Sequence, residues 1–387
     1  MNQHPPLHHQ VCKITVMDTT DPDIRFDENG VCNYVAEFEA FSQAQPDSKE
    51  RQRRLNALIN SIKSQGQGQQ YDCLLGVSGG VDSSYLAYLA HEWGLRPLIV
   101  HFDNGWNSEL AVKNIEEMVT RLGFDLETFV VDWDAFRELQ AAYFRASVVD
   151  IEIPTDHLIF AALNQIAAKR NIRVLLSGHN NATEWLLPKP WYYSKFDLRN
   201  MVDINRQYGR GSLAKLPKLG VWQQFYYYHF KRIRMVQPLQ LIDFNKARAK
   251  RFLIDEMGWR DYGGKHHESI FTRFYQGYML PNKFGIDKRK AHLSNLILTG
   301  QITRHEALRE LQMPPYDEDQ QLEDKRYVAK KLGFSEEEFD QIMVEPVRDH
   351  REFRTDEKDR ELYFKIARAY GRVRAGLQIK KRPYHFC

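Results

Sequence analysis

The apolar positions change period along the chain, and those changes lay out its elements. Cys73-Leu74-Leu75-Gly76-Val77 and Pro97-Leu98-Ile99-Val100-His101-Phe102 are short continuous apolar runs of the kind that form buried strands. Residues 126–131 and 172–176 read the same way. Between these runs the period lengthens to that of a helix. Tyr85, Leu86, Leu89, Ala90 and Trp93 share one helical face, and Gly94 sits where a C-cap glycine belongs. Residues 108–122 predict a helix with Ser108 as N-cap and Gly123 as C-cap. Trp133–Ala146 and residues 155–169 predict two more. Upstream, Leu55, Leu58, Ile59 and Ile62 mark a charged helix over 48–63, and a polar linker, 64–70, follows it. Strand and helix alternate, so the expected fold is α/β. It should be a doubly wound, mainly parallel sheet, covered on both faces, with ligands at the carboxyl ends of its strands. From Phe284 the pattern is helical and charged, including 304–311 and 336–343. The expected division is an N-terminal extension, 1–63, a sheet domain, 64–255, and a mainly helical C-terminal region, 256–387.

Composition narrows the class. The chain has 387 residues, 43% hydrophobic and 27% charged, enough to build an ample core in about two domains. A net charge of +3 is too mild for bulk nucleic-acid binding, so no nucleic-acid partner is expected. No apolar run is long enough to span a bilayer, and residues 1–10 lack the apolar centre of a signal peptide. Four cysteines suggest no disulfide framework, which favours the cytoplasm. His4, His8 and His9 read as part of a polar tail.

The candidate chemistry begins directly after the first strand, at Ser78-Gly79-Gly80-Val81-Asp82-Ser83-Ser84. Two glycines let the backbone turn sharply and bring its N–H groups close to a ligand. The helix start adds free N–H groups and a positive dipole end, and Ser78, Ser83 and Ser84 add hydroxyls. Together they suit a phosphate or pyrophosphate. Asp82 would repel phosphates unless a Mg²⁺ ion lay between them. No Lys-Ser/Thr follows the glycine pair, so this is not a Walker A loop. Two further polar loops end strands: His101-Phe102-Asp103-Asn104-Gly105 after the second, and Ser177-Gly178-His179-Asn180-Asn181-Ala182-Thr183-Glu184 after the fourth.

The string Ser-Gly-Gly-Val-Asp-Ser resembles the PP-loop of the N-type ATP pyrophosphatases, which split ATP between its α and β phosphates and adenylylate a substrate oxygen. The resemblance implies that Ser78–Ser84, His101, Phe102, Asp103, Gly178 and His179 bind ATP or pyrophosphate. It also implies that Asp82 and Glu184 hold Mg²⁺. The stretch from Val11 to Val35, with an Asn29-Gly30 hairpin turn, is similar to the N-terminal region of the N-acetyl sugar amidotransferases of the WbpG and PseA type. That family usually carries two Cys-x-x-Cys pairs there. Here Cys12 is paired with Thr15 and Cys32 with Val35, two thiols short of a zinc site, so no zinc is expected. Gly263-Gly264-Lys265-His266 and Lys288–Ile297 also resemble that family, and Lys265 is a candidate catalytic cation. Residues 185–235 are rich in aromatic and basic side chains and suit an anionic, ring-bearing substrate.

The resemblance implies conversion of an N-acetyl group on a nucleotide-linked sugar to an acetamidino group, in bacterial surface-polysaccharide biosynthesis. No cysteine sits in a glutaminase-like context. The family resemblance implies a separate glutaminase similar to that of histidine biosynthesis (HisH-like), delivering ammonia through a cyclase-like subunit (HisF-like). A tRNA-modifying PP-loop enzyme and a non-catalytic ATP-binding scaffold are the alternatives. The oligomeric state is left open.

Overall fold

The computed structural model describes residues 9–263 and 268–376. Lys265, His266 and His267, with His4, His8 and Cys387, lie outside the described residues. A five-stranded sheet is built from β1 (Cys73–Val77), β2 (Pro97–Asp103), β3 (Asp125–Val130), β4 (Val174–Leu176) and β5 (Arg234–Val236). Its order is β3-β2-β1-β4-β5, and all four pairings are parallel. The first crossovers run outward from β1 to β2 and β3. The chain then returns to pair β4 with β1 on its other side. The strand order therefore reverses between β1 and β4, and the loops that leave those two carboxyl ends stand side by side.

Both faces of the sheet are covered, as alternation along β1 requires. Cys73, Leu75 and Val77 pack with the helices Val81–Glu92, Glu109–Leu122 and Lys246–Met257. Leu74 packs the other way, with Leu163, Ile166 and Ala167 of Ile153–Lys169. Gly76 lies on that second face, where an added Cβ would sit 3.1 Å from Leu163. The caps read from sequence are present. The Ser108 hydroxyl accepts the Ala111 N–H at 3.2 Å, and Gly123 takes the left-handed conformation. Leu95 N–H closes back to the Ala90 carbonyl with Gly94 at φ +63°.

A third, aromatic core joins the sheet to the helices that follow it. Trp106, Phe136, Phe144, Phe271, Phe274 and Phe339 are all fully buried in it. The same core takes in Cys12, Met17, Cys32 and Val35 from the N-terminal segment. The Asn29-Gly30 turn is formed, with Gly30 at φ +76° and an antiparallel bridge between Phe26 and Cys32. Arg304 clamps this segment to the C-terminal helices by donating to the carbonyls of Cys12 and Thr15.

Candidate active site

The glycine turn after β1 is built as a receptacle. Gly79 has φ +82°, and a Cβ there would lie 2.6 Å from the Ala111 carbonyl oxygen, so only glycine fits. Gly80 opens the helix Val81–Glu92 with no side-chain cap of its own; the Tyr262 hydroxyl accepts the Val81 N–H, and the N–H groups that follow stand at the positive end of the helix. The serines brace the turn: Ser78 Oγ accepts from Gly80 N–H at 3.3 Å, and Ser83 Oγ donates to the Gly80 carbonyl at 3.2 Å. Trp259 Nε1 donates to the Gly79 carbonyl at 2.9 Å and fixes the turn from outside. Ser84 is fully buried with its hydroxyl inside the fold, so it supports the helix and does not line the cavity.

The β4 loop closes on this turn. A Cβ on Gly178 would meet the backbone of Asp82 and Ser83 at 3.1 Å, so a glycine lets the two loops touch. Asn180 caps the short helix Asn181–Glu184 by accepting the Thr183 N–H at 3.0 Å, and this turns Glu184 back toward the loop. There Glu184 Oε2 meets His179 Nδ1 at 2.8 Å.

Together the two loops wall a cavity of about 400 Å³. Ser78, Gly80, Val81, Asp82, Ser83, Gly178, His179 and Glu184 line it. So do residues from later in the chain, among them Lys246, Lys250, Trp259, Tyr262, Glu268, His292 and Glu310. Lys250 is paired with Asp261 at 2.5 Å. Among the described residues no acid is bound to the Lys246 ammonium, leaving a cation for phosphate. Burial, and then the charges of Glu268 and Asp82, hold the Tyr262 hydroxyl protonated far above its ordinary range. Asp82 and Glu184 offer hard carboxylate oxygens in one cavity. That donor set suits Mg²⁺, which takes one or two carboxylates and completes its shell with phosphate and water. Among the described residues there is no group of three or more His, Cys, Asp or Glu arranged to hold a metal.

Three expected residues stand elsewhere. His101 is buried with Nδ1 3.4 Å from the Val77 carbonyl and Nε2 3.3 Å from Asn107. Phe102 stacks on Phe129 at 5.4 Å. Asp103 accepts the Gly105 N–H at 2.9 Å. None of them lines the cavity; the loop after β2 pairs instead at Asn107 and Ser108 with Ser269 and Glu268. The aromatic stretch 185–235 also divides. Trp191 is buried, while Trp222, Tyr226 and Phe230 are exposed and line neither this cavity nor its neighbour.

That neighbour, of about 350 Å³, shares His179, Glu184, His292 and Glu310 with the first cavity. Arg273, Lys288 and Arg289 bring three cations to it, Arg289 paired with Asp287 at 2.7 Å. Arg273 is held by a two-pronged pair to buried Asp324 and faces the Tyr316 ring at 5.5 Å. Lys288 has only a loose partner, Glu152 at 3.5 Å. Gly277 makes room for Tyr316, whose ring lies 2.5 Å from where a Cβ would be.

One comparison falls on the second cavity. Residues 268–368, which form most of the second cavity, match the family model described as LPS biosynthesis protein WbpG-like, C-terminal domain. A segment of 71 residues is 39% identical to the tRNA(Ile)-lysidine synthase of Chlamydia pneumoniae, spanning 17% of this chain and 22% of that protein. Similar solved structures include the NH3-dependent NAD synthetase of Campylobacter jejuni, with a TM-score of 0.35 and 13% identity, covering 70% of this chain and 100% of that one. The NMN synthetase of Francisella tularensis gives 0.33 and 15%, over 76% and 97%. These superpositions are loose.

Proposed function

Because the chain carries a WbpG-like C-terminal domain behind a PP-loop sheet, we propose that it is an ATP-dependent sugar amidotransferase. It converts an N-acetyl group of a nucleotide-linked sugar to an acetamidino group, in bacterial surface-polysaccharide (O-antigen) biosynthesis. The observation that carries this reading is the common wall of the two cavities. His179, Glu184, His292 and Glu310 border both a phosphate cradle and a cation-bearing cavity made largely by the WbpG-like domain. A nucleotide in the first and an anionic acceptor in the second would meet there.

An amide oxygen leaves poorly as water or hydroxide, so it must be activated first. The acetamido oxygen attacks the α phosphorus of ATP, and the bond to the bridging oxygen breaks to release pyrophosphate. The first-turn N–H groups after Val81, with Lys246 and Lys250, receive that charge. Mg²⁺ held by Asp82 and Glu184 would neutralise the remainder. Ammonia then attacks the imidate carbon and loses a proton, and AMP departs with the former acetamido oxygen. The chain's work is to align acceptor and phosphate and to balance charge, with no side-chain nucleophile. The ammonia would come from the separate glutaminase through the cyclase-like subunit.

The test is to mix the chain with ATP, Mg²⁺, ammonium and a UDP-linked diacetamido sugar acid, and to follow nucleotides and sugar by mass spectrometry. AMP and pyrophosphate should appear with exchange of one sugar oxygen for NH. ATP that stays bound and uncleaved with every nitrogen source would show a scaffold. The lysidine synthase likeness gives a second reading, a tRNA-modifying enzyme, in which AMP would form only when tRNA is supplied.

A further inference from the structure

Beyond the two cavities lies a third, of about 510 Å³, between the N-terminal segment and residues 185–192. It adjoins the acceptor cavity, since Leu186 and Leu187 line both. Leu186 is buried, but Leu187 is 41% exposed, so the ridge between the two can be crossed over its surface.

Cations, acids and aromatic rings all line this outer cavity. Lys189 stands two residues past the ridge, and Arg25 reaches the same space from the N-terminal segment. Both are exposed, and among the described residues neither side chain has an acid partner. Two such cations suit two adjacent phosphates. Tyr192 offers a 39% exposed ring, and Trp185 is held edge-on by Phe38 at 5.1 Å. Asp23 and Glu37 supply carboxylate acceptors for ribose hydroxyls, and Asn33 braces the wall between them, donating from Nδ2 to Glu37 Oε1 at 2.8 Å and accepting the Arg25 N–H on Oδ1 at 3.0 Å. Walls this polar do not suit a lipid chain.

We propose that this outer cavity holds the nucleoside diphosphate of the acceptor, with the phosphates between Arg25 and Lys189 and the base against Tyr192. The sugar then lies across Leu187 in the inner cavity, its acetamido group toward the phosphate cradle. The proposal rests on the acceptor reading above and extends it to a second nucleotide site, separate from the one for ATP.

The experiment is isothermal titration calorimetry of the full chain with uridine 5′-diphosphate, with and without saturating ATP. It is repeated on the variant R25A/K189A and on Y192A. UDP should bind with ATP present. Its Kd should rise at least tenfold in R25A/K189A and several-fold in Y192A, while the Kd for ATP changes less than twofold. Displacement of UDP by ATP, or unchanged UDP affinity in both variants, overturns the proposal. So does absence of UDP binding in a chain that makes amidine from the UDP-linked acceptor. If UDP binds as stated and no amidine forms with any nitrogen source, the nucleotide site stands and the amidotransferase reading fails.

Discussion

Replacing Gly79 with alanine probes the phosphate cradle at its tightest point. Gly79 has φ +82°, a conformation that costs an L-residue about 1–2 kcal/mol. Its new methyl would lie 2.6 Å from the Ala111 carbonyl oxygen and 3.1 Å from Ala111 Cα, both backbone atoms of the helix Glu109–Leu122. Backbone cannot swing aside as a flexible side chain can, and overpacking of this kind adds roughly 1–3 kcal/mol. The total is about 2–5 kcal/mol, or a fall in Tm of roughly 4–10 °C at about 2 °C per kcal/mol for a large domain. Relief requires the turn to move outward, which pulls the Gly79 carbonyl from Trp259 Nε1 and disperses the first-turn N–H groups. ATP affinity should fall at least tenfold. Gly80→Ala is the control. Gly80 has φ −74°, and its nearest contact is the movable Ser78 hydroxyl at 3.2 Å, so Tm should change by less than about 2 °C. Scanning calorimetry and ATP titration of both variants decide the matter. Equal Tm values for the two, with ATP binding intact in Gly79→Ala, would refute the reasoning.

Asp82→Asn removes one of the two carboxylates that would hold Mg²⁺ in the phosphate cavity. AMP formation should drop more than a hundredfold, and retention within threefold would remove Asp82 from the metal site. Buried His157 donates from Nδ1 to the Lys195 carbonyl at 2.9 Å and accepts the Leu219 N–H on Nε2 at 3.1 Å, so the fold requires it neutral. Burial holds its pKa down at about 4. The unfolded chain protonates near 6.5, so this stability is complete above pH 6.5 and is lost as pH falls toward 4. The stability gap between wild type and His157→Gln should narrow by about 2 kcal/mol from pH 7 to pH 5 in urea titrations; a constant gap would contradict it. Cys12, Thr15, Cys32 and Val35 meet in one place: Cys12 Sγ accepts N–H groups from Thr15 and Cys32, and Val35 packs in the same core. The double variant T15C/V35C should therefore bind one zinc per chain by elemental analysis, and no zinc uptake would show the four positions are not arranged as ligands.

What the sequence made legible was local. The turn at Ser78–Ser84, the caps at Ser108 and Gly123 and the loop to Glu184 each depend on residues within a few positions of one another, so spacing revealed them. Trp259, Tyr262 and Glu310 line the same cavity from far along the chain. No periodicity marks them, because tertiary packing alone brings them in. His292 fell in the stretch Lys288–Ile297 with family resemblance, which was a usable signal. The expectation for His101, Phe102 and Asp103 came from the PP-loop resemblance, and no local signal shows that the loop after β2 pairs with Glu268–Ser269 from far along the chain. Aromatic content misled over 222–230 for a related reason. The π-helical turn Tyr226–Phe230 presents Tyr226 and Phe230 outward while His229 is buried and Tyr227 packs on the core, and composition does not encode direction.

The central claim is that an acetamido oxygen is adenylylated and then displaced by nitrogen. Acceptor labelled with ¹⁸O in its N-acetyl carbonyl, incubated with the chain, ATP, Mg²⁺ and ammonium, tests it in one step. The account predicts one ¹⁸O in the phosphate of AMP, none in pyrophosphate, and an unlabelled amidine. AMP free of the label, or label retained in the sugar while AMP accumulates, would contradict it.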